Sequence, residues 1–136
     1  MRIMDRLALD VDGCYADFNT PFIDLVYQQT GIRLPAVSDS FPSSWSYHLD
    51  GGVNAAQDKD LWRHISASQT FWLDLAPLPT AVEALTRLDK ARTKAGMRWK
   101  EPLWITSRPG STAKLQTEKW LTMHGYARPE VIIAHE

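Results

Sequence analysis

LALDVDGCYADF, residues 7–18, decides how the rest of the chain is read. Leu7, Ala8 and Leu9 run into an aspartate; Val11, a second aspartate and Gly13 follow. A strand that ends in two carboxylates two positions apart gathers negative charge where a fold has no need of it. Side chains alternate between the faces of a strand, so Asp10 and Asp12 start out on the same side. A tight turn after a strand also uses Asp-Gly, with the preceding aspartate capping it. The pair therefore takes its meaning from what the chain brings beside it.

Working outward, RLALDV (6–11) has no polar alternation and reads as a buried strand covered on both faces. NTPFIDLVYQQTG (19–31) carries helix punctuation at both ends: Asn19 or Thr20 to cap, Pro21 in the first turn, Gly31 to stop. Phe22, Leu25 and Val26 form its apolar stripe. Residues 32–52 read as loop, with Pro35, Pro42 and scattered Ser, Asp and Gly. A helix is expected over 54–65, then a short segment ending in a proline-marked turn. Thr80 is expected to cap an amphipathic helix over 81–96, with Val82, Leu85 and Leu88 on one face. PLWIT (102–106) is a second strand, Ser111 is expected to cap a helix closed by Gly125, and EVIIA (130–134) is a third strand. Strands alternating with helices at this spacing predict an α/β fold: a parallel sheet, right-handed crossovers and helices on both faces.

At 136 residues this is one domain, or one domain with a modest insert. A hydrophobic fraction of 44%, with 23% charged, is that of a soluble globular chain. A net charge of −1 gives no basic field for nucleic acid or a membrane surface, so neither is expected as a partner. No apolar run approaches the roughly 18 residues of a membrane span. The first residues, broken by Asp5 and Arg6, do not read as a secretory leader, and the single cysteine, Cys14, excludes an internal disulfide framework. A cytoplasmic location is the default expectation. Six tryptophans point to an aromatic-rich core or a stacking pocket.

In an open parallel sheet, ligands bind beyond the carboxyl ends of the strands. Asp10 lies at one such end; Thr106, Ser107 and Arg108, in LWITSRPGS, lie at another. Two carboxylates repel and shift each other's ionisation unless a cation or a shared proton accompanies them. Hard oxygen donors without a His/Cys cluster favour Mg²⁺ over zinc. Two hydroxyls and a guanidinium suit the oxygens of a phosphate. Together they suggest phosphoryl chemistry, in which one carboxylate attacks phosphorus and the other protonates the leaving oxygen.

These residues resemble a known family. DVDGCYADF has the D-x-D-G first motif of the haloacid dehalogenase-like (HAD) hydrolases, and LWITSRP looks like their second, an apolar strand ending in Thr or Ser. Within that superfamily the chain is most similar to the 5'(3')-deoxyribonucleotidases, through ADF (16–18) and through FWLDLAPLPTAVEALTRL (71–88). The latter matches an aromatic–Leu–Asp–Leu–x–Pro–x–Pro stretch where the cap of those enzymes returns to the core. The resemblance implies a HAD-like core over 1–16 and 76–136 and a small helical cap over 17–75, the cap itself being poorly matched. It implies a Mg²⁺-dependent hydrolase of (deoxy)nucleoside monophosphates working through an aspartyl-phosphate. Asp10 would be nucleophile and metal ligand. Asp12 would be general acid/base, also contributing to the metal site, and Thr106 would orient the phosphoryl group with help from Ser107. Dehalogenating members lack the second aspartate, so Asp12 favours ester hydrolysis. Phe18, Phe71 and Trp72 are candidates for stacking on a base, or for packing between cap and core.

The family pattern also needs a lysine after the third strand and an acidic pair after a fourth. The sequence reaches His135 and Glu136 about where the lysine belongs, so the expectation is a chain truncated at its C-terminus and holding half of such a site. Lys114 and Lys119 reach inward or form a solvated helix face; Asp17 and Asp74 stand in as acidic ligands, or Asp17 caps a turn. The first strand would then be an exposed edge, covered by a second copy of the chain or leaving the fold marginal. The alternative function is a catalytically incomplete phosphate- or nucleotide-binding or protein-interaction module. Cys14 reads as a small packed side chain. His48, His64, His124 and His135 show no metal spacing, with His64 and His124 at the surface. Trp45, Trp62 and Trp120 read as packing residues, and the basic stretch 90–100 as a solvated helix end.

Overall fold

A computed structural model of the chain describes residues 6–35, 46–96 and 101–134. Trp45, His135, Glu136 and residues 97–100 of the basic stretch lie outside them. The fold is mixed α/β. The three apolar runs form a parallel sheet: β1 (Ala8–Asp10), β4 (Leu103–Thr106) and β5 (Glu130–Ile133), in the order β1-β4-β5. Between β1 and β4 come β2 (Ala16–Asp17), α1 (Asn19–Thr30), α2 (Tyr47–Asp50), α3 (Ala55–Ala67), β3 (Ala76–Pro77) and α4 (Pro79–Lys94). α5 (Ala113–Met123) joins β4 to β5.

The sheet has one well-covered face. Leu9, Trp104 and Val131 are in register on it, and Trp104 and Val131 are buried. Tyr15 stands edge-on to Trp104 at 5.1 Å and to Trp120 of α5 at 5.6 Å, while Tyr126 meets Trp104 at 5.2 Å. Such T-shaped contacts suit the quadrupoles of aromatic rings. On the opposite face Ala8 and Asp10 are exposed and Ile132 is 45% exposed. The expectation that β1 is covered on both faces is therefore corrected. β1 is an edge strand paired with β4 alone among the described strands, and its outward residues meet water. α4 is shallow for the same reason: Val82 and Leu85 are half-buried, Leu88 is exposed, and none of its residues is fully buried.

Three helix starts differ from the sequence expectation. α1 is capped from outside by Asp17, whose carboxylate accepts the Thr20 amide (3.2 Å) and hydroxyl (2.6 Å). α4 begins at Pro79, not behind a Thr80 cap; proline's missing N–H costs nothing in a first turn. α5 begins at Ala113 after Thr112, with no side-chain cap from Ser111. α3 opens with a full capping box between Asn54 and Gln57. Gly31 ends α1 with φ +75°, a conformation that disfavours any Cβ. The stretch expected to be loop contains α2, a single turn held by tertiary contacts: His48 is 3% exposed and its Nε2 lies 2.6 Å from Asp58 of α3.

β2 and β3 form a two-residue antiparallel ladder, Ala16 opposite Pro77 and Asp17 opposite Ala76. The segment carrying α1, α2 and α3 thus leaves and returns at adjacent points. The Tyr15 carbonyl accepts the Leu78 amide at 2.7 Å, fixing the start of α4 beside the turn after β1.

Candidate active site

The turn after β1 positions the carboxylate pair. Gly13 adopts φ +75°, which lets the chain fold back so that the Tyr15 and Ala16 amides both reach the Val11 carbonyl, at 2.9 and 2.8 Å. Asp10 pairs in register with Ile105, so Thr106 and Ser107 come immediately beyond it on the neighbouring strand. Asp10, Asp12, Thr106, Ser107 and Arg108 line one cavity of about 420 Å³. Its other wall is aromatic: Phe18, Phe22, Trp62 and Trp72. A cavity with apolar walls and a few converging polar groups is the usual form of a small-molecule site.

Within that cavity the polar groups are unequally committed. The Arg108 side chain has no solvent exposure, and Asp12 retains 19%. Arg108 Nη2 donates to Asp12 Oδ1 at 2.8 Å and Nε to Oδ2 at 3.0 Å, the two-point geometry that makes arginine–carboxylate pairs strong. Nη1 donates to Thr117 Oγ1 at 2.9 Å, and the guanidinium carbon sits 4.7 Å from the centre of the Trp72 ring. Thr106, itself buried, donates its hydroxyl to Asp12 Oδ2 at 3.3 Å. Arg108, expected at the phosphate, therefore points at Asp12 and into the core. Ser107 is exposed.

Asp10 is the outward carboxylate. Burial pushes its ionisation above the usual carboxylate range, the charge of Asp12 adds to this, and the Val11 and Asp12 amides and Arg108 pull weakly the other way. Cys14 is exposed, not packed as expected, and burial together with Asp10 and Asp12 holds its thiol up, against any thiolate role.

Among the described residues no group of three or more His, Cys, Asp or Glu side chains converges as a metal cage. Mg²⁺ often takes one or two carboxylates, completing its shell with water and substrate phosphate. Asp10 fits that demand, and the raised ionisation of Asp10 is the mark of a site short of positive charge. Asp12 is less free, its carboxylate being held by Arg108. Lys114 and Lys119 are exposed on α5, Asp74 is exposed, and Asp17 is used as a helix cap.

Of the stacking candidates, Phe18 and Trp72 line the cavity, whereas Phe71 stands behind them, edge-on to Trp72 at 5.0 Å. Phe22 and Trp62, read from sequence as packing residues, are part of the wall. Gln116, 4% exposed, is the residue that sequence gave no reason to single out. Its Oε1 accepts the Trp72 and Leu73 amides (3.0 and 3.3 Å), and its Nε2 donates to Ser68 and Thr112 (both 2.9 Å). Only its helical spacing from Thr112 was visible in sequence. His48 is buried against Phe22, edge-on at 5.1 Å, and bound to Asp58; His64 is exposed, and His124 is half-buried over Trp120 at 4.5 Å. No protein-family model matches the chain, and no curated protein matches it significantly.

Proposed function

We propose that the chain is a HAD-like phosphomonoester hydrolase core, acting on a monophosphate whose alcohol carries a flat ring, a nucleoside monophosphate being the natural case. One observation supports it above others: Asp10 and the Thr106–Ser107 pair, from neighbouring strand ends, face one cavity with an aromatic wall. Asp10 is exposed and is the carboxylate free to attack phosphorus, forming the aspartyl-phosphate as the ester oxygen leaves. Ser107 and Thr106 would donate hydrogen bonds to the phosphoryl oxygens. Asp12 would give the leaving oxygen its proton, and then take one from the water that cleaves the acyl phosphate. A bound Mg²⁺, held by Asp10 with the substrate phosphate, would supply the positive charge that lets a carboxylate approach a phosphate dianion.

The test is phosphate release from a panel of nucleotides by purified chain in Mg²⁺, compared with Asp10→Asn. Release that Asp10→Asn abolishes is the expected result; no release from the unmodified chain excludes catalysis by it.

A second reading, a phosphate- or nucleotide-binding module without turnover, is favoured by the Arg108–Asp12 pair. Both Asp12 oxygens already accept hydrogen bonds, so proton delivery requires one of them to be given up. Calorimetric binding without phosphate release would select this reading.

A further inference from the structure

We propose that the aromatic end of the cavity is a stacking slot blind to hydrogen-bonding edges, so that the site selects flat aromatic phosphomonoesters over aliphatic ones while scarcely distinguishing one ring from another. The proposal rests on the phosphoester reading above and adds to it what the non-phosphate half of the ligand must be.

The argument is an inventory of polar atoms on the lining residues. Phe18 and Phe22 have none in their side chains. Trp62 has one, Nε1, and it donates to Asp58 Oδ1 at 3.1 Å. Asp58 is in turn fixed by His48 Nε2 at 2.6 Å, and His48 is buried, so that acceptor is held in place from behind. Trp72 also has one, and it donates to the Pro109 carbonyl at 3.3 Å. Arg108 spends its guanidinium on Asp12 and Thr117. The side-chain polarity open to a ligand is thus concentrated where Asp10 and Ser107 lie, and the opposite wall offers ring surface alone.

That surface has a common orientation. Phe18 and Trp62 are within 5° of parallel at 6.0 Å, Phe18 and Trp72 within 22° at 5.8 Å, and Phe22 and Trp62 within 27° at 5.7 Å. Near-parallel rings on one wall favour a flat group laid along them. Every aromatic ring has a π-face, so stacking tolerates changes of ring. Strong discrimination requires buried polar groups that the wrong ligand leaves unpaired, and this wall has committed its own to the protein.

The experiment is a calorimetric binding panel on the unmodified chain in Mg²⁺: phenyl phosphate, the purine and pyrimidine nucleoside 5'-monophosphates, glycerol phosphate and phosphocholine. Expected are affinities for the ring-bearing esters within about tenfold of one another, and about ten- to hundredfold above glycerol phosphate, the range for one stacked ring. A preference of a hundredfold or more for one base overturns the proposal, because it requires a hydrogen-bonded edge. So does glycerol phosphate or phosphocholine binding as tightly as phenyl phosphate. Trp62→Leu is expected to lower aryl affinity about tenfold and leave inorganic phosphate unchanged; an unchanged aryl preference counts against the slot. Hydrolysis of acetyl phosphate, which has no ring, reads the chemistry separately. Turnover of acetyl phosphate without aryl preference overturns the slot alone. Ring-tolerant aryl binding without any turnover upholds the slot and removes the hydrolase.

Discussion

Arg108 grips both oxygens of Asp12 across the gap between two strand ends, and the two partners differ in their access to water: none for the Arg108 side chain, 19% for that of Asp12. Removing one partner of a buried pair strands the other, and the cost depends on whether the stranded charge can hydrate. Asp12→Ala leaves a sealed guanidinium with Thr117 and the face of Trp72, and is expected to cost about 3–5 kcal/mol. Arg108→Met leaves a carboxylate that water reaches, and should cost about 1–3 kcal/mol. Urea unfolding of both variants checks the asymmetry; equal losses would mean that the burial difference carries no weight.

Asp10 carries the opposite sign. Its ionisation is raised in the fold, chiefly by burial and next by the charge of Asp12. The folded chain therefore holds this proton to higher pH than the unfolded chain does. Stability from this group is greatest below the ordinary aspartate value of about 3.9 and falls as pH rises through the raised one. Asp10→Asn is expected to raise the unfolding midpoint at pH 7 and to lose that advantage in acid. Thermal unfolding across pH 3–8 reads this directly, and a destabilised variant at pH 7 would refute it. In the hydrolase reading, the same shift moves the rise of kcat with pH above the usual carboxylate range.

Gln116→Leu should loosen the aromatic wall while keeping the volume of the side chain. The Trp72 and Leu73 amides lose their shared acceptor, and a buried amide left unpaired costs about 1–3 kcal/mol. The expected signature is a stability loss of that size together with weaker aryl-phosphate binding, measured on the same preparation. Full stability would show that water replaces Oε1.

Gly110 follows Pro109 in the loop beyond β4, and a methyl group built on it would lie 2.7 Å from the Ser66 carbonyl oxygen near the end of α3. Its φ of +115° is also one that side chains rarely adopt. Gly110→Ala is expected to cost about 1–3 kcal/mol and to push α3, with Trp62, away from the phosphate end. A lower unfolding midpoint with reduced aryl affinity is the expected pair of readouts, whereas an unchanged midpoint would show that Ser66 gives way freely.

Periodicity and turn chemistry carry the fold well where local signals dominate. The three apolar runs are the three parallel strands, and Gly31 and Gly125 stand where α1 and α5 end. Local signals fail where a distant residue decides. α2 exists because His48 meets Asp58, ten positions on, and α1 is capped by Asp17 from outside the helix. Spacing brought Asp10, Asp12, Thr106, Ser107 and Arg108 to one place, since strand ends in a parallel sheet converge. It could not tell which way Arg108 turns. That choice is made by Thr117 and Trp72, one on the following helix and one far upstream in the chain. The aromatic wall was half visible for the same reason: Phe22 and Trp62 sit on stripes that look like ordinary core until the two helices are laid together.

The two-residue ladder between Ala16–Asp17 and Ala76–Pro77 has a wider consequence. The outgoing and returning strands lie side by side, so everything between Phe18 and Leu75 begins and ends at one doorway. Lengthening, shortening or exchanging that stretch alters neither the spacing of Asp10 from Thr106 nor the register of β1 on β4. The wall that meets the ligand's ring is thus an interchangeable cassette, whereas the strand ends that meet its phosphate are fixed hardware. Recognition can drift in such a chain while its reactive centre stands still.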